Sequence, residues 1–132
     1  MPKSKSAYSI PTKKGKIDAH IFVVWLDNEA GVLARVVGLF SGRGYNIESL
    51  AVAEIDQKKN LSRVTIVTTG TPEVIEQIAL QLKKLVPVHK VANFKRDDKN
   101  VISIEMALLK VVANSSKIKK ALNACKKYNP VI

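Results

Sequence analysis

The stretch from Ile21 to Ile55 constrains the fold most, because its pattern changes from strand to helix and back to strand within 35 residues. Six apolar residues, Ile21 to Leu26, are rich in β-branched and aromatic side chains and predict a buried strand. The next apolar residues fall on one face of a helix, at Val32, Leu33, Val36, Val37 and Phe40. A second strand, residues 46–55, is expected to return beside the first, so the stretch predicts a βαβ crossover.

Polar and glycine residues mark the ends of this helix. Asp27 or Asn28 is suited to cap its start, since both side chains accept hydrogen bonds from the free N–H groups of a first turn. Gly42 and Gly44 supply the turn at its end. Gly38, within the helix, is expected to let the helix lie close to another element.

The following residues predict the remainder of one domain. Residues 61–69 read as a third strand, Thr71 and Pro72 open a second helix as its cap and first residue, and Pro87 ends it. Residues 88–94 then predict a fourth strand. The order βαββαβ indicates a ferredoxin-like α+β domain, an antiparallel sheet with two helices on one face.

The chain outside this domain is predicted to be less complete. Residues 1–18 are rich in Lys and Ser and are expected to form a disordered basic extension to a domain spanning 19–95. After a charged linker, residues 101–113 show the alternation of a strand, and Ser115 or Ser116 is suited to cap a further helix. Residues 101–132 are expected to be an incomplete second domain, because about 30 residues cannot close a core of their own.

Composition narrows the classes of function. The net charge is +11 across 132 residues, but the Lys runs lack the interleaved aromatic side chains of a single-strand nucleic-acid platform. No apolar run approaches the roughly 20 residues that span a membrane. A single cysteine, Cys125, fits a reducing, cytoplasmic location, and its place on an apolar helix face suggests buried packing. No pattern of catalytic or metal-ligating residues is present.

The turn at Asn28 to Gly31 is the candidate binding site. The first turn of a helix leaves N–H groups unpaired and carries partial positive charge, which suits a small anion. Gly31 lets a ligand approach the main chain, and Asn28 offers both a donor and an acceptor to a zwitterion. Taken alone, these residues are explained better by helix capping, for Asn28, and by packing, for Gly31, than by ligand binding.

The run from Leu26 to Leu50, LDNEAGVLARVVGLFSGRGYNIESL, closely resembles the signature of the small, regulatory subunit of acetolactate synthase (acetohydroxyacid synthase). The similarity continues through residues 61–67, 77–85 and 86–88, so it covers about Ala19 to Phe94 well. In that family the first half of the protein chain is an ACT domain, an amino-acid-sensing module, and its fold agrees with the βαββαβ order.

The resemblance implies a regulatory role in branched-chain amino acid biosynthesis. Such a subunit binds the catalytic large subunit, raises its activity and transmits feedback inhibition by valine, often with leucine or isoleucine. The chemistry would belong to the catalytic partner, where thiamine diphosphate, Mg²⁺ and FAD are expected, and this chain would hold no cofactor. We expect a homodimer through ACT domains, and no contact with nucleic acid or membrane.

The resemblance also implies which residues bind the effector. In similar proteins the amino acid lies between two ACT domains, against the turn before the first helix of one and the start of the second strand of the other. Carried over to this sequence, the effector-binding residues are Asn28, Ala30, Gly31, Val32, Leu33, Asn46 and Ile47. Ala30 departs from the family pattern, in which Ser or Pro is common, and its contribution is expected to come from the main chain.

Two alternatives remain open. A basic RRM-like RNA-binding module shares the βαββαβ order, and Phe22 and Trp25 are aromatic residues on its first strand, but the third strand contains none. An ACT-type sensor of another enzyme or of a transcription factor is the other alternative, and the long match through Gly38 to Leu50 argues against it.

Overall fold

The computed structural model describes residues 15–131. The first of two units ends at Ile102 and the second begins at Ser103. The first contains four strands and two helices: β1 (Asp18–Asp27), α1 (Val32–Gly42), β2 (Ser49–Asp56), β3 (Leu61–Gly70), α2 (Pro72–Lys83) and β4 (Val88–Lys95). The predicted ferredoxin-like order βαββαβ is confirmed. Of the disordered extension predicted for residues 1–18, residues 1–14 fall outside the described residues, and Asp18 already belongs to β1.

The four strands form one antiparallel sheet in the order β2-β3-β1-β4. β1 and β3 pair over their whole length, from Asp18 opposite Gly70 to Asp27 opposite Leu61. The expectation that the second strand lies beside the first is wrong, because β3 is inserted between them and β2 forms an edge. This is the split βαβ arrangement, in which a crossover leaves room for one antiparallel strand.

One face of the sheet carries the core. Alternate residues of β1 and β3 are buried against the two helices, as the period of two in a strand requires. The predicted inward residues Val64 and Ile66 are both 0% exposed. The core cluster consists of Phe22, Val24, Leu26, Val32, Val36, Leu39, Phe40, Val64, Ile66, Ile75, Ile78 and Leu82.

α2 begins as predicted, with Thr71 as its N-cap, Pro72 as its first residue and the Thr71 hydroxyl accepting from the N–H of Val74 at 3.5 Å. Gly38 does not have the predicted packing role within one chain, because among the described residues nothing lies within 4 Å of the position a Cβ would take there. Gly44 has a φ of +69°, in keeping with the predicted glycine turn after α1.

The second unit contains one helix, α3 (Ser115–Cys125), followed by a 3₁₀ turn (Lys126–Tyr128). Asn114, rather than Ser115 or Ser116, caps α3, since its Oδ1 accepts from the N–H of Lys117 at 3.2 Å. Cys125 is half-buried rather than buried.

The strand predicted for residues 101–113 is absent from the structure, and its apolar side chains are exposed, Met106 to 95% and Leu108 to 99%. A strand needs a neighbour to pair its backbone groups, and the described part of this unit supplies none.

Candidate functional site

The turn between β1 and α1, residues 27–31, is fixed by main-chain hydrogen bonds to two neighbouring segments. The N–H of Asp27 donates to the carbonyl of Pro87 at 2.9 Å, and the N–H of Asn28 donates to the carbonyl of Asn60 at 2.7 Å. The Asp27 carboxylate also contacts Nε2 of His89 at 2.6 Å. The turn therefore has a defined position relative to the end of the sheet.

Gly31 is the N-cap of α1 and has a left-handed conformation, with φ 84° and ψ −10°. No side chain caps α1 through a hydrogen bond at this position, so the prediction that Asp27 or Asn28 caps the helix is wrong. The reason is that both side chains have other partners: Asp27 contacts His89, and the Asn28 amide donates to Glu54. A left-handed N-cap favours glycine, because a Cβ strains this backbone conformation.

The first turn of α1 contains the main-chain N–H groups of this candidate site. The N–H of Val32 makes a long bond of 3.3 Å to the carbonyl of Glu29, and the first helical bond runs from Arg35 to Gly31. Within residues 15–131, the N–H groups of Leu33 and Ala34 have no hydrogen-bond acceptor. Val32 is 4% exposed and belongs to the core, whereas Leu33 is 39% exposed. This end of the helix has the character of an anion site.

Asn46 and Ile47, the other predicted effector residues, lie just before β2. The carbonyl of Asn46 accepts a hydrogen bond from the Thr68 hydroxyl at 2.6 Å, and the side chain of Asn46 is exposed. The side chain of Ile47 packs against the core, which leaves its main chain for contact with a ligand. The N–H of Glu48 donates to the carbonyl of Val67 at 2.8 Å and fixes this segment against β3.

One chain does not bring the two groups of predicted residues together. The turn at Asn28 lies at the end of the sheet where β3 begins, since Leu61 is opposite both Asp27 and Asp56. Asn46 lies near Val67 and Thr68, towards the other end of β3. The six residue-to-residue steps from Leu61 to Val67 span about 20 Å of strand. A ligand as small as an amino acid therefore cannot touch both groups of one chain.

Glu54 is a neighbour of the turn that the sequence reasoning missed. Its Oε1 accepts a hydrogen bond from Nδ2 of Asn28 at 3.2 Å. Glu54 lies on β2 opposite Ser62, on the same side of the sheet as the helices. The signal available in the sequence was an acidic residue after the apolar run Leu50 to Ala53, and its meaning depended on knowing that β2 ends beside the turn.

The two histidines have structural partners. His20 is 8% exposed, and its Nδ1 lies 2.9 Å from Oδ1 of Asn93. His89 contacts Asp27. Residues 15–131 contain no group of three or more His, Cys, Asp or Glu side chains placed to hold a metal ion. Over the same residues, no helix has the length and apolar character needed to cross a membrane.

The structure buries one of the two aromatic residues on which the RNA-binding alternative depends. Phe22 is 0% exposed and belongs to the core beneath the helices, so the expectation that it stacks on a base is wrong. Trp25 is on the opposite face, opposite Arg63 of β3, with the Lys90 ammonium 5.1 Å from its ring centre. A single aromatic residue on β1 without a partner on β3 does not form the stacking platform of an RRM.

Comparison with known proteins places this geometry in a family. A family model described as an AHAS small subunit-like ACT domain matches residues 22–90. The acetolactate synthase small subunit of Aquifex aeolicus (strain VF5) is 43% identical over 105 residues, which make up 80% of this chain and 53% of that protein. The acetolactate synthase isozyme 3 small subunit of Escherichia coli (strain K12) is 49% identical over 94 residues, 71% of this chain and 56% of that protein. The chain thus spans a little over half the length of these relatives.

A solved structure agrees with these sequence matches. The crystal structure of the acetolactate synthase small subunit from Thermotoga maritima superimposes with a TM-score of 0.52 and 40% sequence identity, over 57% of this chain and 46% of that one. The match across residues 22–90 contains all of α1, β2, β3 and α2. The chain belongs to the AHAS small subunit-like ACT domain family.

Proposed function

We propose that this chain is a regulatory subunit of acetolactate synthase: it binds valine between two ACT domains, activates the catalytic large subunit and transmits feedback inhibition to it. The proposal extends what the relatives' names say, since those proteins are small subunits of acetolactate synthase. Leucine and isoleucine are the other effectors of the same chemical class.

The separation of the two groups of site residues is the observation that carries the proposal. β2 is an edge strand, so a second copy can pair with it. In an antiparallel pair of β2 strands, the end of one β2, which contacts Asn28, lies beside the start of the other, which follows Asn46. Two copies related by a two-fold axis then complete two sites that one chain leaves divided.

Exposed apolar side chains flank the same edge. On the helix side of β2, Val52 is 45% exposed, and Ile55 at the end of the strand is 43% exposed. Leu33 and Val37 are one turn apart on the outer face of α1 and are 39% and 38% exposed. Contact with a second copy would remove these side chains from water, which favours association.

The chemistry of the divided site suits an amino acid. The N–H groups at the start of α1 carry partial positive charge and suit its carboxylate. The amides of Asn28 and Asn46 provide donors and acceptors that orient both charged groups. The exposed side chain of Leu33 offers apolar surface to a branched side chain. A ligand that contacts both subunits would change the relative stability of dimer geometries, which a catalytic partner is able to sense.

Calorimetric titration of the purified chain with L-valine tests the sensor, with D-valine and L-lysine as controls. We expect saturable binding of L-valine alone. Asn28→Ala should weaken that binding by about 1 to 3 kcal/mol, because it leaves polar partners unpaired. L-valine binding that is unchanged in this variant would refute the site.

A mixing experiment tests whether the site is shared between two subunits. Asn28→Ala and Asn46→Ala homodimers should each bind valine weakly. A heterodimer of the two carries both substitutions in one site and none in the other, so an equilibrated mixture should regain parent affinity in about a quarter of its sites. No recovery after subunit exchange, verified by mass spectrometry of the intact dimers, would show that the two asparagines do not meet across the dimer.

A further inference from the structure

We propose that Glu54 is an effector-binding residue: its carboxylate pairs with the ammonium group of the bound amino acid and makes the site prefer amino acids to the corresponding 2-oxo acids. This inference rests on the proposed function, since it concerns the same site. It adds a charged residue to a set that otherwise contains amides, main-chain groups and apolar side chains.

The position of Glu54 relative to Asn28 supports this role. Oε1 of Glu54 is 3.2 Å from Nδ2 of Asn28, which is a hydrogen bond between exposed side chains. The oxygen of the Asn28 amide is attached to the same carbon as that nitrogen. An ammonium group that donates to the amide oxygen therefore lies within reach of the Glu54 carboxylate, and both acceptors can be satisfied together.

The charge balance of the site needs a group of this kind. The start of α1 supplies partial positive charge for the carboxylate of a zwitterion. The ammonium group carries a full positive charge, and amide oxygens alone provide a neutral acceptor for it. Hydrogen bonds to an ionised acceptor are stronger than those to a neutral one. Glu54 supplies a negative charge in direct contact with the Asn28 amide.

The surrounding charges leave the Glu54 carboxylate available. Within residues 15–131, no Lys, Arg or His nitrogen lies within 4 Å of it, since the ion pairs there involve Asp18 and Asp27. Asp27 contacts His89, and Asp56 accepts from the N–H of Lys59, so these two carboxylates near the turn are engaged elsewhere. Glu54 is the one that contacts Asn28.

The position of β2 also gives Glu54 a place in the dimer. Glu54 lies two residues before the end of the strand, and an antiparallel second copy of β2 would put the start of its own strand nearby. The ammonium group would then lie between Glu54 of one subunit and the segment before β2 of the other. This arrangement makes the charge contact part of the link between the subunits.

Glu54→Gln is the sharpest test, because glutamine keeps the size of the side chain and its acceptor for Asn28 while removing the charge. The matched control is Glu76→Gln, which removes the same charge from an exposed position on α2. Calorimetry should compare L-valine with 3-methyl-2-oxobutanoate, which has the same carbon skeleton and carboxylate but no ammonium group.

In Glu54→Gln we expect the Kd of L-valine to rise about fivefold, the size of one exposed ion pair. The Kd of the 2-oxo acid should stay the same or fall, so the ratio of the 2-oxo acid Kd to the valine Kd decreases. Glu76→Gln should leave both constants unchanged. Urea unfolding of both variants should match the parent chain, because both side chains are exposed.

Three results would overturn the inference in distinguishable ways. Parent-like valine binding in Glu54→Gln would remove Glu54 from the site while leaving the proposed function intact. Tighter valine binding would show that Glu54 competes with the effector for Asn28 instead of binding it. Failure of the parent chain to bind valine would reject the proposed function and this inference together.

Discussion

Asp27, at the end of β1, contacts His89, at the start of β4: Oδ1 of Asp27 lies 2.6 Å from Nε2 of His89. The contact adjoins the turn that begins at Asn28. Both side chains are partly open to solvent, 35% for Asp27 and 55% for His89. The main chain of Asp27 is held independently by its bond to Pro87, so the side-chain contact adds to an anchor that exists without it.

Replacement of His89 should therefore have a small effect. We expect His89→Gln to lower the free energy of unfolding by less than about 1 kcal/mol, because exposed ion pairs contribute little to stability. Valine affinity should change less than twofold, since the main-chain anchors of the turn remain. Urea unfolding and calorimetry measure the two effects. A loss of more than about 2 kcal/mol would mean that the side-chain pair, not the main chain, fixes the turn.

Gly31 is expected to matter for both stability and binding. Its φ of 84° is unfavourable for any residue with a Cβ, although no atom lies within 4 Å of where that Cβ would be. Gly31→Ala should cost about 1 to 2 kcal/mol of unfolding free energy through backbone strain alone. The added methyl group should also weaken valine binding, because it stands beside the N–H groups of the turn.

Gly42→Ala is the matched control for Gly31→Ala. Gly42 is the last residue of α1, also has nothing within 4 Å of a Cβ, and does not have a positive φ. Gly42→Ala should leave the free energy of unfolding unchanged or raise it slightly, since alanine has a higher helix propensity than glycine. Equal losses of stability in the two variants would show that the left-handed conformation of Gly31 is not the cause.

Glu73 predicts how the start of α2 responds to acid. Hydrogen bonding by its own backbone N–H and by the Thr71 hydroxyl lowers the pKa of its carboxyl below the ordinary value of 4.5. Because folding lowers the pKa of Glu73, ionisation of its carboxyl stabilises the folded state relative to the unfolded state. This contribution is fully present above about pH 4.5 and is lost as the pH falls through the folded pKa.

Thr71→Ala should raise the pKa of Glu73 towards its ordinary value, and NMR titration of the side-chain carboxyl carbon measures it. The same variant removes the N-cap of α2, which should cost about 0.5 to 1 kcal/mol of unfolding free energy at neutral pH. Thr71→Ser keeps the hydroxyl and serves as the control. If the pKa of Glu73 is the same in both variants, the Thr71 hydroxyl does not contribute to its shift.

Four elements of the first unit, β1, α1, β3 and α2, were predictable because each has buried residues on one face. Val64 and Ile66 are buried and alternate with less buried residues in β3, and the apolar spacing in α2 gives its three buried side chains, Ile75, Ile78 and Leu82. The neighbours of each strand were not predictable in the same way. A crossover from β1 to β2 has the same pattern whether or not β3 is inserted between them, and the wrong adjacency followed from that ambiguity.

Local pattern also failed where a partner was needed. Residues 101–113 alternate as a strand should, but the described part of the second unit contains no strand to pair with them. The predicted cap of α1 was wrong because partners were present: the side chains of Asp27 and Asn28 contact His89 and Glu54 instead of the first turn of the helix. Glu54 was missed since only the register of β2 places it beside Asn28. The turn itself was located correctly, while the binding roles of its residues remain predictions.

The edge of β2 gives the most direct prediction about assembly. Val52 is 45% exposed on the helix side of this edge strand, where a two-fold pair of copies would bring both Val52 side chains close together. If the proposed dimer forms through β2, Val52→Lys should make the chain monomeric in sedimentation experiments, because it places like charges at the contact, and the proposed valine binding should be lost with it. The matched control is Val86→Lys, which adds the same charge at a 93% exposed position before β4. A Val52→Lys chain that stays dimeric would place the dimer contact elsewhere, and a monomeric Val52→Lys chain that still binds valine with parent affinity would show that one chain suffices for the site.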